Sequence, residues 1–136
     1  MGLYGENPEI HWLLLDICSK YGVDFKGKVN PQTGHTECVD YLLNLLKQYT
    51  GPDDKETLAA WLDKEIPGAF PAFKERPNWI QSPEWPFAGG EPMEFIGQLD
   101  ISIEDEETAA RWFHDDTSFY IFVSKHAQPV VIMQQY

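Results

Sequence analysis

The sequence predicts a single α+β domain in which about three N-terminal helices pack on a small antiparallel sheet from the C-terminal half. Three observations predict it: helical periodicity fills residues 1–68, a proline-rich connection occupies 69–92, and alternating strands occupy 93–136. The length of 136 residues is normal for one domain. A hydrophobic content of 43% and an aromatic content of 14% are enough for one packed core.

The first half of the chain predicts two helices with ordinary start and stop signals. Asn7 suits an N-cap and Pro8 suits the first helical position. This helix is expected to end at Gly22, which can adopt the left-handed conformation that closes a helix. A second helix is expected to start near Thr36 and to be stopped by the Thr-Gly-Pro at 50–52.

A third helix is predicted to run from a capping box made by Asp53 and Glu56 to the Ile-Pro-Gly at 66–68. Six of the ten prolines then lie between Pro67 and Pro92. Because proline lacks an N–H and disfavours helix in the preceding residue, this stretch predicts a long, stiff, extended connection. Its aromatic side chains are expected to pin it onto the core, with Trp85 the best candidate for partial exposure: Phe70, Phe73, Trp79, Trp85 and Phe87.

The last third of the chain predicts strands. Residues 93–103 alternate between apolar and polar, which indicates a strand with one polar face carrying Gln98; Ile96 is the exception on that face. The Gln98 amide is expected to satisfy neighbouring loop backbone. Residues 119–123 are apolar on both faces, as is typical of a central strand. Residues 130–136 predict a final strand.

Charge is distributed unevenly along the chain. The net charge is −12, and residues 77–136 contain ten acids but only Arg111 and Lys125 as bases. Binding to a nucleic-acid backbone or an anionic membrane surface needs clustered Lys and Arg, so both are disfavoured. A basic protein partner or a cationic ligand fits better. The absence of a signal peptide and of a membrane span predicts a cytoplasmic, reduced protein, with Cys18 and Cys38 as free thiols.

The acidic run at 104–107 opens a short predicted helix and has two interpretations. It is either a solvated helix start or, with its acidic neighbours, a contact surface for a basic partner. Trp85 is added as an aromatic anchor, since Trp is frequent at the centre of interfaces. The candidate partner-binding residues are therefore Trp85, Asp100, Glu104, Asp105, Glu106, Glu107, Asp115 and Asp116.

No catalytic, metal or cofactor site assembles in the sequence. His35 and Cys38 supply at most two of the four ligands of a zinc site. His114 could act as a base beside the aspartates at 115–116, but Asp-Asp-Thr-Ser before a strand is ordinary turn chemistry. The Gly-Gly at 89–90 is followed by proline and a strand rather than by a helix, so it predicts a turn and not a phosphate loop.

One motif resembles a known family. The string from Trp85 to Ile101, with the apolar strand at 119–123, resembles the YwqG-like family of bacterial proteins of unknown function, over roughly residues 76–136. The resemblance implies a mixed α+β fold with an antiparallel sheet and names no catalytic residue. Relatives often lie near polymorphic toxin loci, which suggests immunity proteins. The matching residues are Trp85, Pro86, Gly90, Pro92, Met93, Phe95, Gln98, Leu99, Asp100 and Ile101.

These observations favour a small, acidic, cytoplasmic immunity protein, or antitoxin, that neutralises a cognate toxin by occluding it. The alternative is a small-molecule or regulatory binding module, with a pocket under the 85–92 loop lined by Trp85, Phe87 and Met93. An enzyme is the third and least favoured interpretation, because no nucleophile with a nearby base can be identified.

Overall fold

The computed structural model of the protein describes residues 8–101 and 116–135. The described residues form three helices in the N-terminal half and a three-stranded antiparallel sheet in the C-terminal half, so the predicted α+β class is confirmed. The helices are α1 (Pro8–Lys20), α2 (Glu37–Leu46) and α3 (Lys55–Ala69), and the strands are β1 (Phe87–Ala88), β2 (Glu91–Pro92), β3 (Glu94–Ile101), β4 (Thr117–Val123) and β5 (Pro129–Gln135).

The sheet order is β3-β4-β5, with both neighbouring pairs antiparallel. The strand predicted to be central, β4, lies between the other two. The strands β1 and β2 form a separate small hairpin, and its turn residues Gly89 and Gly90 have φ angles of 60° and 79°. The turn predicted at these two glycines is therefore confirmed, because only glycine adopts two consecutive positive φ angles at little cost.

The first two helices begin where the sequence predicts. Helix α1 starts at Pro8, and Gly22 beyond its end has a φ of 77°. Thr36 is the N-cap of α2, and its hydroxyl accepts a hydrogen bond from Val39 N at 3.2 Å. Helix α2 ends at Leu46, and a tight turn of three residues continues to the predicted stop at 50–52.

Helix α3 corrects two predictions. Its N-cap is Asp54 rather than Asp53, because the Asp54 carboxylate reaches both the backbone N and the hydroxyl of Thr57, at 3.3 and 2.6 Å. The helix also continues through Pro67 to Ala69 instead of ending there. A proline frees the carbonyl four residues earlier. That carbonyl belongs to Asp63, and the Tyr21 hydroxyl lies 3.2 Å from it, so α1 and α3 are joined where the proline interrupts α3.

A β-bulge explains why Ile96 breaks the alternation of its strand. Phe95 pairs with Phe122 and Gly97 pairs with Ile121, so Ile96 has no partner across β4. The extra residue reverses which side chains face inward. Phe95 is buried before the bulge, and after it Gln98 faces the interior while Leu99 faces outward.

The proline-rich segment at 71–84, which we call the strap, crosses the inner face of the sheet. At the outer edge of β3, Phe95 N donates to Pro71 O at 2.9 Å and Phe73 N donates to Phe95 O at 2.8 Å. Further along β3, the Gln98 amide accepts from Asn78 N at 2.8 Å and donates to Asn78 O at 3.1 Å. The predicted role of Gln98, to satisfy neighbouring loop backbone, is confirmed.

The strap then meets β4 and β5 through one side chain of each. The Tyr120 hydroxyl donates to Asn78 O and accepts from Ile80 N, both at 3.0 Å. The Gln134 amide accepts from Gln81 N at 2.9 Å and donates to Ser82 O at 2.8 Å. Side chains of all three strands thus satisfy the backbone of residues 78–82, which lies beyond the short backbone pairing of the strap with Phe95.

Arg76 joins the strap to the residue that follows α1 and to Trp85. Arg76 Nε donates to Tyr21 O at 2.8 Å, and its guanidinium lies 5.3 Å from the ring centres of both Tyr21 and Trp85. The expectation that Trp85 is partly exposed is wrong, since it is 7% exposed and its indole N–H donates to Met93 O at 2.8 Å. Phe73, expected to pin the strap onto the core, is instead 64% exposed.

None of the helices within residues 8–101 and 116–135 is both long and apolar enough to cross a membrane.

Replacing Tyr120 by Phe tests the role of the strap. The change leaves Ile80 N and Asn78 O without the fully buried hydroxyl that joins them, so we expect the free energy of unfolding to fall by about 1–3 kcal/mol. Tyr49→Phe is the matched control, because it removes a hydroxyl that bonds Pro52 O at the surface and should cost only about 0.5 kcal/mol. Equal losses in urea denaturation would contradict a special role for the Tyr120 contact.

Candidate functional site

The outer face of the sheet is apolar and largely open. Leu99 and Val131 are each 56% exposed, Met133 is 52% exposed and Ile121 is 36% exposed. Large exposed apolar side chains are unremarkable when they are scattered singly, but a contiguous group marks an interaction surface. We call these four residues, with the half-buried Phe119 between them, the platform.

The strand register makes the platform continuous. Leu99 pairs with Phe119, which pairs with Met133 on its other side. Ile121 pairs with Val131 in the next row of the same face. Directly opposed residues in antiparallel strands place their Cβ atoms about 4.5–5.5 Å apart, so the five side chains form one surface across three strands.

Two of the acidic residues predicted to bind a partner lie within the described part of the chain, and one of the two is fully exposed. Asp100 is exposed on β3, and its carboxylate accepts from Gln98 Nε2 at 2.8 Å and from Ser118 Oγ at 2.5 Å. Asp116 is half-buried at the start of β4. Trp85 is buried, so its indole is not available as an anchor. Glu104, Asp105, Glu106, Glu107 and Asp115 lie outside the described residues, as does the short helix predicted there.

Sequence reasoning did not find the platform. The sign of a bulge in β3 was Ile96, an apolar residue on the polar face of the predicted strand. One extra residue at that point exchanges the two faces of the strand beyond it, which directs Leu99 outward. A regular alternation would have directed Leu99 inward with Phe95.

A cleft of about 480 Å³ opens beside the strap. Its lining includes the apolar side chains Trp85, Phe87 and Ile132. The charged lining residues are Lys26, Lys28, Glu37 and Glu84. The volume falls within the range of small-molecule sites, which is roughly 300–1,000 Å³. Two of the three residues predicted for a pocket under the 85–92 loop line this cleft, and the third does not: Met93 is buried in the core.

The two cysteines are packed thiols. Cys18 and Cys38 are 0% and 2% exposed and are not joined in a disulfide. Burial, with the nearby Asp24 carboxylate as a smaller cause, raises the pKa of Cys18 to about 12. Burial raises the pKa of Cys38 as well, and Cys18 and Asp24 are smaller causes of that rise. A thiol held in this form is a poor nucleophile and a poor metal ligand.

The histidines examined in the sequence do not assemble a site within the described residues. His35 Nδ1 lies 3.3 Å from Asp40 Oδ1, and the Cys38 side chain is buried in the core. His114 and Asp115 lie outside the described residues. Within the part of the chain that the structure describes, no three His, Cys, Asp or Glu side chains come together as a metal ion would require.

No family model matches the chain, and neither a curated protein nor a solved structure matches it. The resemblance to the YwqG-like family stays a prediction.

The buried thiols predict a loss of stability at high pH. Because the folded pKa of Cys18 is about 12 and the ordinary value is 9.0, the unfolded chain releases this proton before the folded protein does. The free energy of unfolding should therefore fall as pH rises from about 9 to 12, by up to ~1.4 kcal/mol per pH unit for this thiol.

Chemical denaturation of Cys18→Ala across the same pH range is the check. The cavity left by the substitution lowers the free energy of unfolding by the same amount at every pH. The fall of this free energy with rising pH should, however, be shallower in the variant than in the unaltered protein. Identical slopes would contradict the assignment.

Proposed function

We propose that the chain is a small acidic binding protein that engages a basic protein through the platform and blocks it, in the manner of an immunity protein that neutralises a toxin. The observation that carries this proposal is the exposure of Leu99, Val131 and Met133 on one sheet face. Covering one such side chain stabilises a complex by up to about 1.5–3 kcal/mol. The platform supplies affinity, and the charge of the chain selects a basic partner.

The charge supports a basic partner because acids are concentrated next to the platform in the sequence. Residues 102–116 separate β3 from β4 in the sequence, and they contain six acids against the single base Arg111. With a net charge of −12, the chain attracts a positively charged protein from a distance and repels acidic ones. Attraction of this kind raises the association rate and weakens with salt.

The blocking mechanism would be occlusion. A sheet face of three strands is broad and rigid, because the strap clamps it from behind at Gln98, Tyr120 and Gln134. A rigid surface loses little conformational entropy on binding. Such a surface can cover the active site of a toxin without chemistry of its own, and the resemblance to a family found near toxin loci supports this form of binding.

Leu99→Glu separates apolar binding from attraction by charge. If apolar contact carries affinity, the variant should bind a basic partner, sought among the products of neighbouring genes, at least tenfold more weakly, although it is more acidic. If charge alone carries affinity, Leu99→Glu should bind as well or better. Val29→Glu is the matched control, since Val29 is also 56% exposed but lies on the loop before α2.

Two results would refute the proposed function. One is the absence of a complex between the unaltered protein and any product of a neighbouring gene at micromolar concentration, with no protection of cells that express those products. The other is equal binding by Leu99→Glu and the unaltered protein.

The cleft beside the strap favours a second candidate, a small-molecule binding module. Its lining combines apolar side chains with two lysines and two glutamates, which suits a small ligand that has an apolar part and polar groups. Lys26 Nζ donates to Ser82 Oγ at 2.9 Å across this cleft, so Ser82→Trp would crowd it.

A thermal-shift screen against a small-molecule library tests the second candidate. A ligand at 100 times its Kd stabilises the protein by about 2.7 kcal/mol. That shift should appear in the unaltered protein and in the control Ser19→Trp, which adds the same bulk on exposed α1, and should vanish in Ser82→Trp. A shift retained in Ser82→Trp would place the ligand elsewhere.

A further inference from the structure

The strand β5 ends the sheet, and no described strand pairs with its outer edge. The hairpin bond from Ser124 N to Gln128 O, at 3.0 Å, fixes which backbone groups point to that edge. In an antiparallel ladder, residues alternate between pairs that exchange hydrogen bonds and pairs that do not. Counting from Gln128, the backbone groups of Val131 and Met133 therefore point away from β4.

The open part of this edge is short and well defined. At its far end, Gln81 Nε2 donates to Gln135 O and so caps the edge. At its near end, Pro129 has no N–H to offer. Between them, the N–H and C=O groups of Val131 and Met133 have no described partner on this side, and their side chains are more than half exposed.

The composition of β5 lacks the usual protection of an edge strand. Its sequence, Pro-Val-Val-Ile-Met-Gln-Gln, contains no charged residue in a chain with a net charge of −12. Natural edges are commonly protected by charged side chains, bulges or covering segments. An uncharged strand is also a place where two copies of an acidic chain can meet without opposing carboxylates on the paired strands.

We propose that β5 pairs antiparallel with β5 of a second copy, around a twofold axis at Ile132. This register sets Val131 against the partner's Met133 and Met133 against the partner's Val131. Both are pairs that exchange hydrogen bonds, so four backbone bonds form, and the two sheets join into one of six strands. A twofold contact needs a self-complementary strip, which the apolar pair on either side of Ile132 supplies.

The dimer has two consequences. It continues the platform of one copy into that of the other, because Val131 and Met133 lie at the junction on the outer face. It is also weak, because four hydrogen bonds and two short apolar pairs are fewer than a standard interface makes. Repulsion between the two acidic chains opposes it, so salt should strengthen it, whereas salt weakens binding to a basic partner.

Sedimentation equilibrium from low micromolar to near-millimolar protein, at low and high salt, tests the dimer. We expect a monomer–dimer equilibrium that shifts toward dimer with salt. Val131→Lys should shift the dissociation constant upward by at least tenfold, because it sets a charge against the partner's Met133. Leu99→Lys is the matched control: it introduces the same charge at the same 56% exposure on the opposite edge strand, and should leave dimerisation unchanged.

Met133→Pro gives a second test that adds no charge. It removes an N–H that points to the open edge and leaves the bonds between β4 and β5 in place, so the fold should persist in circular dichroism while the dimer weakens. A protein that stays monomeric at high salt, or a dimer that Val131→Lys does not weaken, would overturn the proposal. A dimer weakened equally by Leu99→Lys would instead show packing of the outer faces and would also overturn it. Partner binding is tested separately through Leu99→Glu, so the two proposals fail independently.

Discussion

A proline-rich chain can lie across a sheet only if something other than the sheet's own ladder satisfies its backbone. Here that requirement is met by one polar side chain from each strand: Gln98, Tyr120 and Gln134. A side-chain amide and a hydroxyl can each donate and accept a hydrogen bond at the same time. Each of these side chains therefore accepts from one backbone N–H of the strap and donates to one backbone C=O. Within the described residues, no buried side-chain nitrogen or oxygen lacks a partner.

The sheet carries apolar side chains on both faces. Its inner face buries Phe95, Tyr120 and Phe122 in the core and adds the hydrogen-bonding Gln98 and Gln134. The bulge at Ile96 shifts β3 by one residue, so Leu99 is directed outward, where it joins the exposed Val131 and Met133 of the regularly paired β5. The platform therefore depends on the bulge in β3 and on apolar side chains that β4 and β5 carry on their outer face.

Charge and apolar surface have separate roles in the two proposed contacts. The net charge of −12 favours a basic partner at the platform and opposes self-association at β5. Ionic strength therefore moves the two equilibria in opposite directions, since screening removes an attraction in one and a repulsion in the other. The strap supports both surfaces from the inner face, and Arg76 holds it between Tyr21, which follows α1, and Trp85.

The sequence by itself determined the features that depend on neighbouring residues: the α+β class, the starts of α1 and α2, the turn at 89–90 and the central position of β4. Gln98 as a partner of loop backbone also follows from the sequence. Only the tertiary structure decided that Trp85 is buried, that Pro67 lies within α3 and that Leu99 faces outward. The burial of Trp85 depends on contacts with Arg76 and Met93. The position of Pro67 within α3 depends on Tyr21. These residues are distant in the sequence, so no local pattern encodes the contacts. The outward direction of Leu99 depends on where the pairing of β3 with β4 places the extra residue, because a shift of one position exchanges the two faces of a strand.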